Sequence, residues 1–466
     1  MARFVLQNRW KIEDKKLVYY GIRKKPYTTK NVLKISKADK TWLNSLENFD
    51  SEKLTRSQKR FLHDGIVVDE RDYIPTVNSL SEAKFCKRCC ANDFVIPGLE
   101  FNSDGLCAIC ENAEDTKDMV AVNPPLNEIP PSPNKMYDIA VFYTGGKDSS
   151  YLLWYLAKIK NLRVLALTWK IPFITQNAQR SIENAKKCLP NVAFVEWQVD
   201  DDSIRKFYAK LYSLQSNTCA CPSLAYLLFL PILSSFDVPY LALGNEPAQV
   251  KNLYFNNIAP KIAFSYHKIK ILAPLINFAR IVMFKKPITL AQFNYLATVK
   301  QLVFGENNFK KMFSTPYAAL DNIEIALDEI VGLKSSLKSA IRLADRHGKL
   351  PRFIHIDFDQ IENKKYNWSA VKQKLVEDIG WQDTPIGEKS LHTSCAVEKA
   401  KEYSQFVAFR EMKNTNIPFS AVELSCAVNS GAISRENAIK ELQESSGFQL
   451  DRPTEHCIME EFCKRK

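Results

Sequence analysis

Residues 137–150 run Tyr137-Asp-Ile-Ala-Val-Phe-Tyr143-Thr-Gly-Gly-Lys-Asp-Ser-Ser150, and this stretch decides the fold. Its first half is apolar, β-branched and aromatic, which is typical of a buried parallel strand. Residues 149–160 then place large apolar side chains on one face of a helix. The sequence therefore predicts a strand, a tight polar turn and a helix in direct succession.

The turn has the composition of a phosphate-binding loop. Its members are Thr144, Gly145, Gly146, Lys147, Asp148, Ser149 and Ser150. Glycines let the backbone approach a ligand, and the amides and positive dipole end of a new helix bind phosphate. Lys147 would add a mobile cation and Asp148 would hold a Mg²⁺ that bridges phosphate oxygens, so these two are the predicted catalytic residues. The spacing is neither a Walker A motif nor GxGxxG. The alternative is a turn whose glycines serve only chain reversal.

Strand and helix patterns alternate further along the chain. Strand-like apolar runs occupy residues 163–169, 193–199 and 239–243, while residues 176–187 and 203–214 are helix-like. This alternation predicts an α/β fold with a doubly wound parallel sheet.

The carboxyl ends of these strands are expected to form one ligand crevice, because ligands in such sheets bind there. The 144–150 loop follows the first strand, Thr168 lies at the end of the second, and Gly244 begins the segment 244–246 after the fourth. These three points are therefore predicted to lie along a single site.

Four of the twelve cysteines, Cys86, Cys89, Cys107 and Cys110, form CxxC-x17-CxxC, close to the spacing of a four-thiolate zinc site. A metal crosslink would give this short segment its fold. Disulfides and an Fe–S role are the alternatives. Because the chain starts without a long apolar region, we expect a reducing, cytoplasmic location, which favours thiolates on Zn²⁺.

The loop resembles the Ser-Gly-Gly-x-Asp-Ser pyrophosphate loop (PP-loop) of the ATP pyrophosphatases, which have an adenine nucleotide alpha-hydrolase fold. Thr144 stands in place of the first serine and keeps the hydroxyl. The resemblance implies that ATP and Mg²⁺ bind here. The loop would hold the β- and γ-phosphates, the Thr168 region the adenine, and Gly244 would lie near the α-phosphate.

The cysteine segment and several downstream motifs resemble the N-acetyl sugar amidotransferases of surface-polysaccharide and nonulosonic-acid synthesis. The downstream matches are Tyr366-x-Trp368, Gly380-Trp381, His392-Thr-Ser-Cys395 and residues 430–438, so the resemblance covers roughly residues 85–445. It implies that ATP adenylates a carbonyl oxygen of an acceptor, a nucleotide-sugar or acidic sugar, with release of pyrophosphate. Ammonia from a separate glutaminase subunit would then displace AMP.

Residues 1–84 depart from that family. They have the patterns of a small α+β domain, and a helix leading into Asp64-Gly-Ile-Val-Val resembles winged-helix-type modules that hold a leader peptide. A capping domain packed on the enzyme is the equal alternative. The predicted division is this domain (1–84), a zinc knuckle (85–112), a linker (113–135), an ATP-binding domain (136–286) and a mainly helical C-terminal domain (287–466).

Two other functions stay open. Cys188, Cys219, Cys221 and Cys395 are candidate thiols for a tRNA or small-molecule sulfurtransferase, and residues 1–84 would recruit a peptide for modification. The net charge of +12 suits ATP, a nucleotide-sugar, an acidic glycan or tRNA. The longest apolar run, residues 224–233, is too short for a membrane span.

Overall fold

The structure is a computed structural model that describes residues 3–22, 32–46, 54–114, 126, 128–214, 220–244, 246–256, 270–305, 319–385, 390–391 and 394–464. Its strands are β1 (Phe4–Leu6), β2 (Trp10–Glu13), β3 (Lys16–Tyr19), β4 (Val32–Lys34), β5 (Val67–Asp69), β6 (Ile139–Phe142), β7 (Val164–Trp169), β8 (Val192–Trp197), β9 (Tyr240–Leu243) and β10 (Arg352–His355).

Helices surround these strands. They are α1 (Lys37–Leu43), α2 (Arg56–His63), α3 (Ala108–Glu111), α4 (Lys147–Trp154), α5 (Gln176–Cys188), α6 (Asp201–Leu214), α7 (Cys221–Leu228), α8 (Leu230–Ser235), α9 (Pro247–Phe255), α10 (Leu272–Val282), α11 (Leu290–Phe304), α12 (Ala319–Ala326), α13 (Leu333–His347), α14 (Trp368–Ile379), α15 (Glu398–Arg410), α16 (Phe419–Ser430), α17 (Arg435–Glu444) and α18 (Thr454–Lys464). A π-helical turn, Tyr155–Ile159, extends α4.

A five-stranded, all-parallel sheet with strand order β10-β9-β6-β7-β8 forms the centre of the molecule. The four sequence-predicted strands of this sheet are confirmed, within two residues at each end. Alternate side chains of β6 enter two different apolar clusters: Ile139 and Val141 one, Ala140 and Phe142 the other. Both faces of the sheet are therefore covered, which explains why its strands are continuously apolar.

The strand order reverses direction at β6. From β6 the chain proceeds to β7 and β8 on one side, and then returns to place β9 and β10 on the other. The 144–150 loop after β6 and residues 244–246 after β9 therefore leave the sheet at the same edge, on either side of the point where parallel sheets bind ligands.

The fifth strand comes from the region that the sequence predicts to be a mainly helical C-terminal domain. Arg352–His355 pairs in parallel with β9, and the Leu126 amide donates to the His355 carbonyl at 2.8 Å. The C-terminal region thus completes the sheet as well as packing on it. Among the helices in the described part of the chain, none is long and apolar enough to cross a membrane.

The N-terminal region forms two small sheets, β1-β5 and β2-β3-β4, with α1 and α2 over a core of its own. Arg9 connects it to the rest of the molecule. Its buried guanidinium donates to the carbonyls of Tyr20 (2.7 Å), Arg410 (2.9 Å) and Phe409, and it lies 4.5 Å from the centre of the Phe409 ring. Burial lowers the pKa of Arg9 to about 10, which leaves the side chain charged at neutral pH.

Candidate functional site

The 144–150 loop makes a tight turn that only glycine accommodates at its second residue. Gly145 has a φ of +73°, and a Cβ there would lie 2.4 Å from the carbonyl oxygen of Ala178 on α5. Gly146 is the N-cap of α4 and supplies no capping side chain. The loop backbone therefore packs directly on α5, and the helix begins with backbone groups that suit an anion.

Hydroxyl groups hold the loop closed on itself. Thr144 Oγ1 and Ser149 Oγ are 3.1 Å apart, and Ser149 Oγ donates to the Gly146 carbonyl at 3.1 Å. Ser150, the last predicted member, is fully buried behind them. The hydroxyl groups of Thr144 and Ser149 thus stabilise the turn through hydrogen bonds within the loop.

Lys147 is enclosed by aromatic and acidic side chains. Its Nζ donates to Asp148 at 2.5 Å and to the Tyr366 hydroxyl at 2.5 Å, and lies 3.4 Å from Glu246 Oε2. The same nitrogen lies 4.8 Å and 4.7 Å from the ring centres of Tyr366 and Trp368. The sequence suggests a mobile cation here, but in the structure these partners fix its position. We call Lys147, Asp148, Glu246, Tyr366 and Trp368 the lysine cage.

The cage is a closed hydrogen-bond network. The Tyr366 hydroxyl donates to Asp148 Oδ1, the Trp368 indole donates to Glu246 Oε2 at 2.7 Å, and Gln249 donates to Asp148 Oδ2 at 3.4 Å. Each carboxylate therefore has both a cation and neutral donors, which buried charges require.

Burial and the nearest opposite charge shift the pKa values of Lys147 and Glu246 in opposite directions. Burial lowers the pKa of Lys147, but Asp148 and Glu246 outweigh it, so the pKa is raised overall and the lysine stays charged. Burial raises the pKa of Glu246 to about 7; Lys147 opposes this, while Asp148 and Glu423 add to it. Glu246 is thus the group of the cage that changes charge near neutral pH.

Two further segments from the C-terminal region contact the loop. The Trp381 indole donates to the Gly145 carbonyl at 2.9 Å. Ser394 lies beside Gly146, where a Cβ would be 3.9 Å from its side chain, and its carbonyl accepts from the Thr175 amide at 3.1 Å. Of the motifs that carry the family resemblance, Tyr366-x-Trp368, Gly380-Trp381 and Ser394 therefore lie at the loop, while residues 392–393 lie outside the described residues.

Gly244 approaches the loop from the neighbouring strand. A Cβ at Gly244 would lie 2.9 Å from Cα of Ser149, so only glycine lets β9 end this close to α4. Asn245 lies outside the described residues, and α9 then begins with Glu246 as its N-cap. The predicted neighbourhood of Gly244 and the 144–150 loop is thus observed.

Thr168 borders a cavity of about 760 Å³ at the carboxyl ends of β7 and β8. Its hydroxyl donates to the Tyr143 carbonyl at 2.9 Å. The lining includes the charged side chains Lys170, Glu196 and Arg205, and Phe462 from α18. No residue of the 144–150 loop lines this cavity in the described part of the chain. The site therefore has two compartments, the loop and the Thr168 cavity, at the same edge of the sheet.

The four predicted metal ligands lie together. Sγ atoms of Cys86, Cys89, Cys107 and Cys110 are all within 4.8 Å of one another, and all four residues are buried. Cys86 and Cys110 sulfurs are 3.7 Å apart, and Cys89 and Cys107 sulfurs 3.6 Å. Ligands at about 2.3 Å around a tetrahedral ion would be about 3.8 Å apart. The cluster thus fits a metal ion such as zinc.

Neighbouring groups contact the cysteine cluster. The Cys107 amide donates to Cys86 Sγ at 3.3 Å and the Ala91 amide to Cys89 Sγ at 3.4 Å, contacts that stabilise thiolates. Cys90 lies outside the cluster; its sulfur is 3.6 Å from Ser425 Oγ on α16, and burial raises the pKa of its thiol. The four candidate ligands are therefore Cys86, Cys89, Cys107 and Cys110, and Cys90 is not among them.

The remaining predicted thiols are dispersed over several elements. Cys188 is exposed at the end of α5, Cys221 begins α7 with its sulfur 3.6 Å from the Tyr208 hydroxyl, and Cys219 lies outside the described residues. Cys395 pairs with Ile174 next to Ser394. Of these cysteines in the described residues, Cys395 is the one that adjoins a segment in contact with the loop.

Comparison with known proteins adds no identification: no protein-family model matches the chain, and no curated protein matches it significantly.

Several site residues were not assigned a role from sequence. Glu246 and Gln249 have no motif of their own, and Tyr366, Trp368 and Trp381 carried only a family resemblance. That resemblance was the one sequence signal available for the aromatic residues. Their contacts with Lys147 and Gly145 now give each a physical position.

Proposed function

We propose that this chain is an ATP-dependent amidotransferase with a doubly wound, adenine nucleotide alpha-hydrolase-like fold. One observation carries the proposal: the Tyr366–Trp368 segment and Trp381 contact the 144–150 loop, and Ser394 lies beside it. These contacts join residues more than 200 positions apart in sequence around one glycine-rich turn. A turn that served only chain reversal would not require such partners.

The arrangement supports binding of ATP along the sheet edge. The loop backbone and the start of α4 would hold the β- and γ-phosphates, and the cavity at Thr168 would take the adenine. Asp148 would hold a Mg²⁺, with Thr144 and Ser149 hydroxyls nearby. Gly244, which brings the end of β9 against the backbone of Ser149, is the proposed neighbour of the α-phosphate.

The lysine cage suits transfer of a nucleotidyl group. Lys147 stays charged in a nearly dry environment, so its attraction for phosphate oxygens is strong once a ligand competes with Asp148 and Glu246. Attack of an acceptor carbonyl oxygen on the α-phosphate would release pyrophosphate and leave an adenylate. Ammonia would then replace AMP, delivered by a separate glutaminase subunit. An N-acetyl sugar, as a nucleotide-sugar or an acidic sugar, is the proposed acceptor.

Product analysis tests this proposal. Incubation with ATP, Mg²⁺, ammonium and candidate acceptors should yield AMP and pyrophosphate, whereas ADP and phosphate would contradict it. Asp148→Asn should lower turnover about 10²–10³-fold without unfolding the protein, because the substitution removes the Mg²⁺-holding carboxylate. Asp451→Asn, at an exposed position away from the loop, is the matched control and should retain full activity.

Sulfur transfer is the second candidate, favoured by the position of Cys395 beside Ser394. The two functions differ in their need for a thiol. Cys395→Ala and Cys221→Ala should keep ammonium-dependent activity if nitrogen is the nucleophile. Folded, ATP-binding variants without activity would instead assign the nucleophile to a cysteine.

A further inference from the structure

Helix α10 exposes large apolar side chains that an ordinary surface helix would bury. Its large apolar residues face outward, with exposures from 58% (Ile281) to 88% (Phe284, just beyond its end). The exposed set is Ile271, Leu275, Phe278, Ile281, Val282, Met283 and Phe284. A surface helix of a globular protein normally buries such a stripe. We call these seven side chains the apolar surface.

Polar groups attach α10 to the rest of the molecule. The Asn277 side chain donates to the Ile288 carbonyl and accepts from its amide, at 3.0 and 2.9 Å. Arg280 is buried and pairs with Asp345 on α13 at 2.6 Å. These polar contacts fix the inward side of α10, and the apolar surface on its other side therefore faces outward.

The surrounding sequence is strongly basic. Residues 270–305 contain five Lys and Arg residues and no Asp or Glu, although 52 acids in 466 residues would predict about four here. Lys270 and Lys286 are exposed at either end of α10. Asp345 lies among three cations, Arg280, Lys285 and Lys300, and neutralises the charge of one. The apolar surface therefore lies in a region of excess positive charge.

We propose that the apolar surface binds the headgroup and upper acyl region of an anionic lipid bilayer. An outward apolar stripe flanked by lysines is the pattern of helices that lie in the plane of a membrane interface. At 11 residues α10 is about 16 Å long, so it would lie on the bilayer. A second copy of the chain is disfavoured as the occupant, because pairing would bring two basic regions together without acidic partners.

Vesicle co-sedimentation without ATP tests this inference independently of the proposed function. The full chain should bind phosphatidylcholine vesicles containing phosphatidylglycerol, and binding should fall when salt is raised or phosphatidylglycerol is omitted. The double variant Phe278→Gln/Phe284→Gln should lose at least tenfold in partitioning. Val331→Gln, at a 90% exposed apolar position outside this surface, should bind like the unchanged protein.

Charge is tested separately with Lys270→Gln/Lys286→Gln, which should reduce binding to the anionic vesicles about tenfold. Failure of the unchanged protein to bind these vesicles, or equal binding by the two-phenylalanine variant, would overturn the proposal. Sedimentation velocity provides the remaining outcome. A lipid-free dimer that Phe278→Gln/Phe284→Gln converts to a monomer would assign the apolar surface to a second copy and overturn membrane binding.

Discussion

The four-cysteine knuckle and the 144–150 loop are both short motifs, but their contacts come from different distances along the chain. All four thiols of the knuckle come from residues 86–110, although the side chains of Asn429 and Arg435 also hydrogen-bond to this segment. The loop depends on Glu246, Tyr366, Trp368 and Trp381. The candidate ligand set of the cysteine cluster is therefore complete within one local segment, whereas the 144–150 loop takes its partners from distant parts of the chain.

The largest effect is expected from removing one ligand of the four-cysteine knuckle. Cys107→Ser removes one of four ligands. Structural zinc contributes about 10–16 kcal/mol in zinc-finger peptides, which equals or exceeds the stability of an ordinary domain. We expect loss of the bound metal, measured by elemental analysis, and a strong fall in soluble protein. ATP turnover per folded molecule should fall less than tenfold if the loop is assembled independently.

Cys90→Ser is the matched control, because Cys90 is buried next to the cluster but contacts Ser425 instead of the ligands. It should keep about one metal ion per chain. The knuckle does contact α16, which connects to α9 through the Glu423–Asn252 hydrogen bond of 3.0 Å. Complete loss of turnover in folded Cys107→Ser protein would show that the contacts through α16 couple the two sites. It would contradict their independent assembly.

An intermediate effect is expected where the loop depends on a distant residue. Trp381→Phe keeps an aromatic ring but leaves the Gly145 carbonyl without its indole donor. An unsatisfied buried carbonyl costs about 1–3 kcal/mol, so the KM for ATP should rise about tenfold. Steady-state kinetics at varied ATP concentration measures this change.

Trp154→Phe controls for the loss of a buried indole. The Trp154 nitrogen donates to Asp378 at 2.6 Å, and the side chain is as buried as that of Trp381. Thermal unfolding should show similar destabilisation of both variants, while only Trp381→Phe should alter the KM for ATP. Equal KM changes would mean that Trp381 acts through general packing.

Whether a feature of this structure could be predicted from the sequence depends on how far apart in the chain its interacting residues lie. β6 to β9, the glycine turn and the cysteine cluster depend on local patterns, and the predicted positions are observed. β10 pairs with a strand about 110 residues earlier, and only three or four of its residues carry the pattern. Glu246 belongs to the segment 244–246 that the sequence predicts at the ligand crevice, but its contacts with Lys147 and Trp368 arise because β9 lies beside β6, and no local spacing specifies those contacts.

The smallest expected effect concerns the charge of Glu246. Burial raises its pKa to about 7, so the carboxyl is largely protonated below that pH and ionised above it. Ionisation adds a negative charge beside the 144–150 loop, which would weaken ATP binding by about 1 kcal/mol, the energy of two unit charges about 4 Å apart that solvent and Lys147 screen to a dielectric of about 80. The KM for ATP should therefore rise about fivefold as pH rises through 7. Glu246→Gln should keep the low value throughout.

Glu402→Gln controls for titration of the nucleotide and of other buried acids. Burial also raises the pKa of Glu402 to about 7, but its hydrogen-bond partners are the Ser420 hydroxyl and the Gly447 amide, neither of which belongs to the lysine cage. For both acids the folded pKa lies above the unfolded one, so each contributes stability below about pH 4.5 that is lost as pH rises through 7. Chemical denaturation at pH 5 and 8 should show this slope reduced in either variant. The pH dependence of the KM should disappear only in Glu246→Gln, because of these two glutamates only Glu246 lies beside Lys147. Its disappearance in Glu402→Gln would mean that titration of Glu246 does not cause the change in KM.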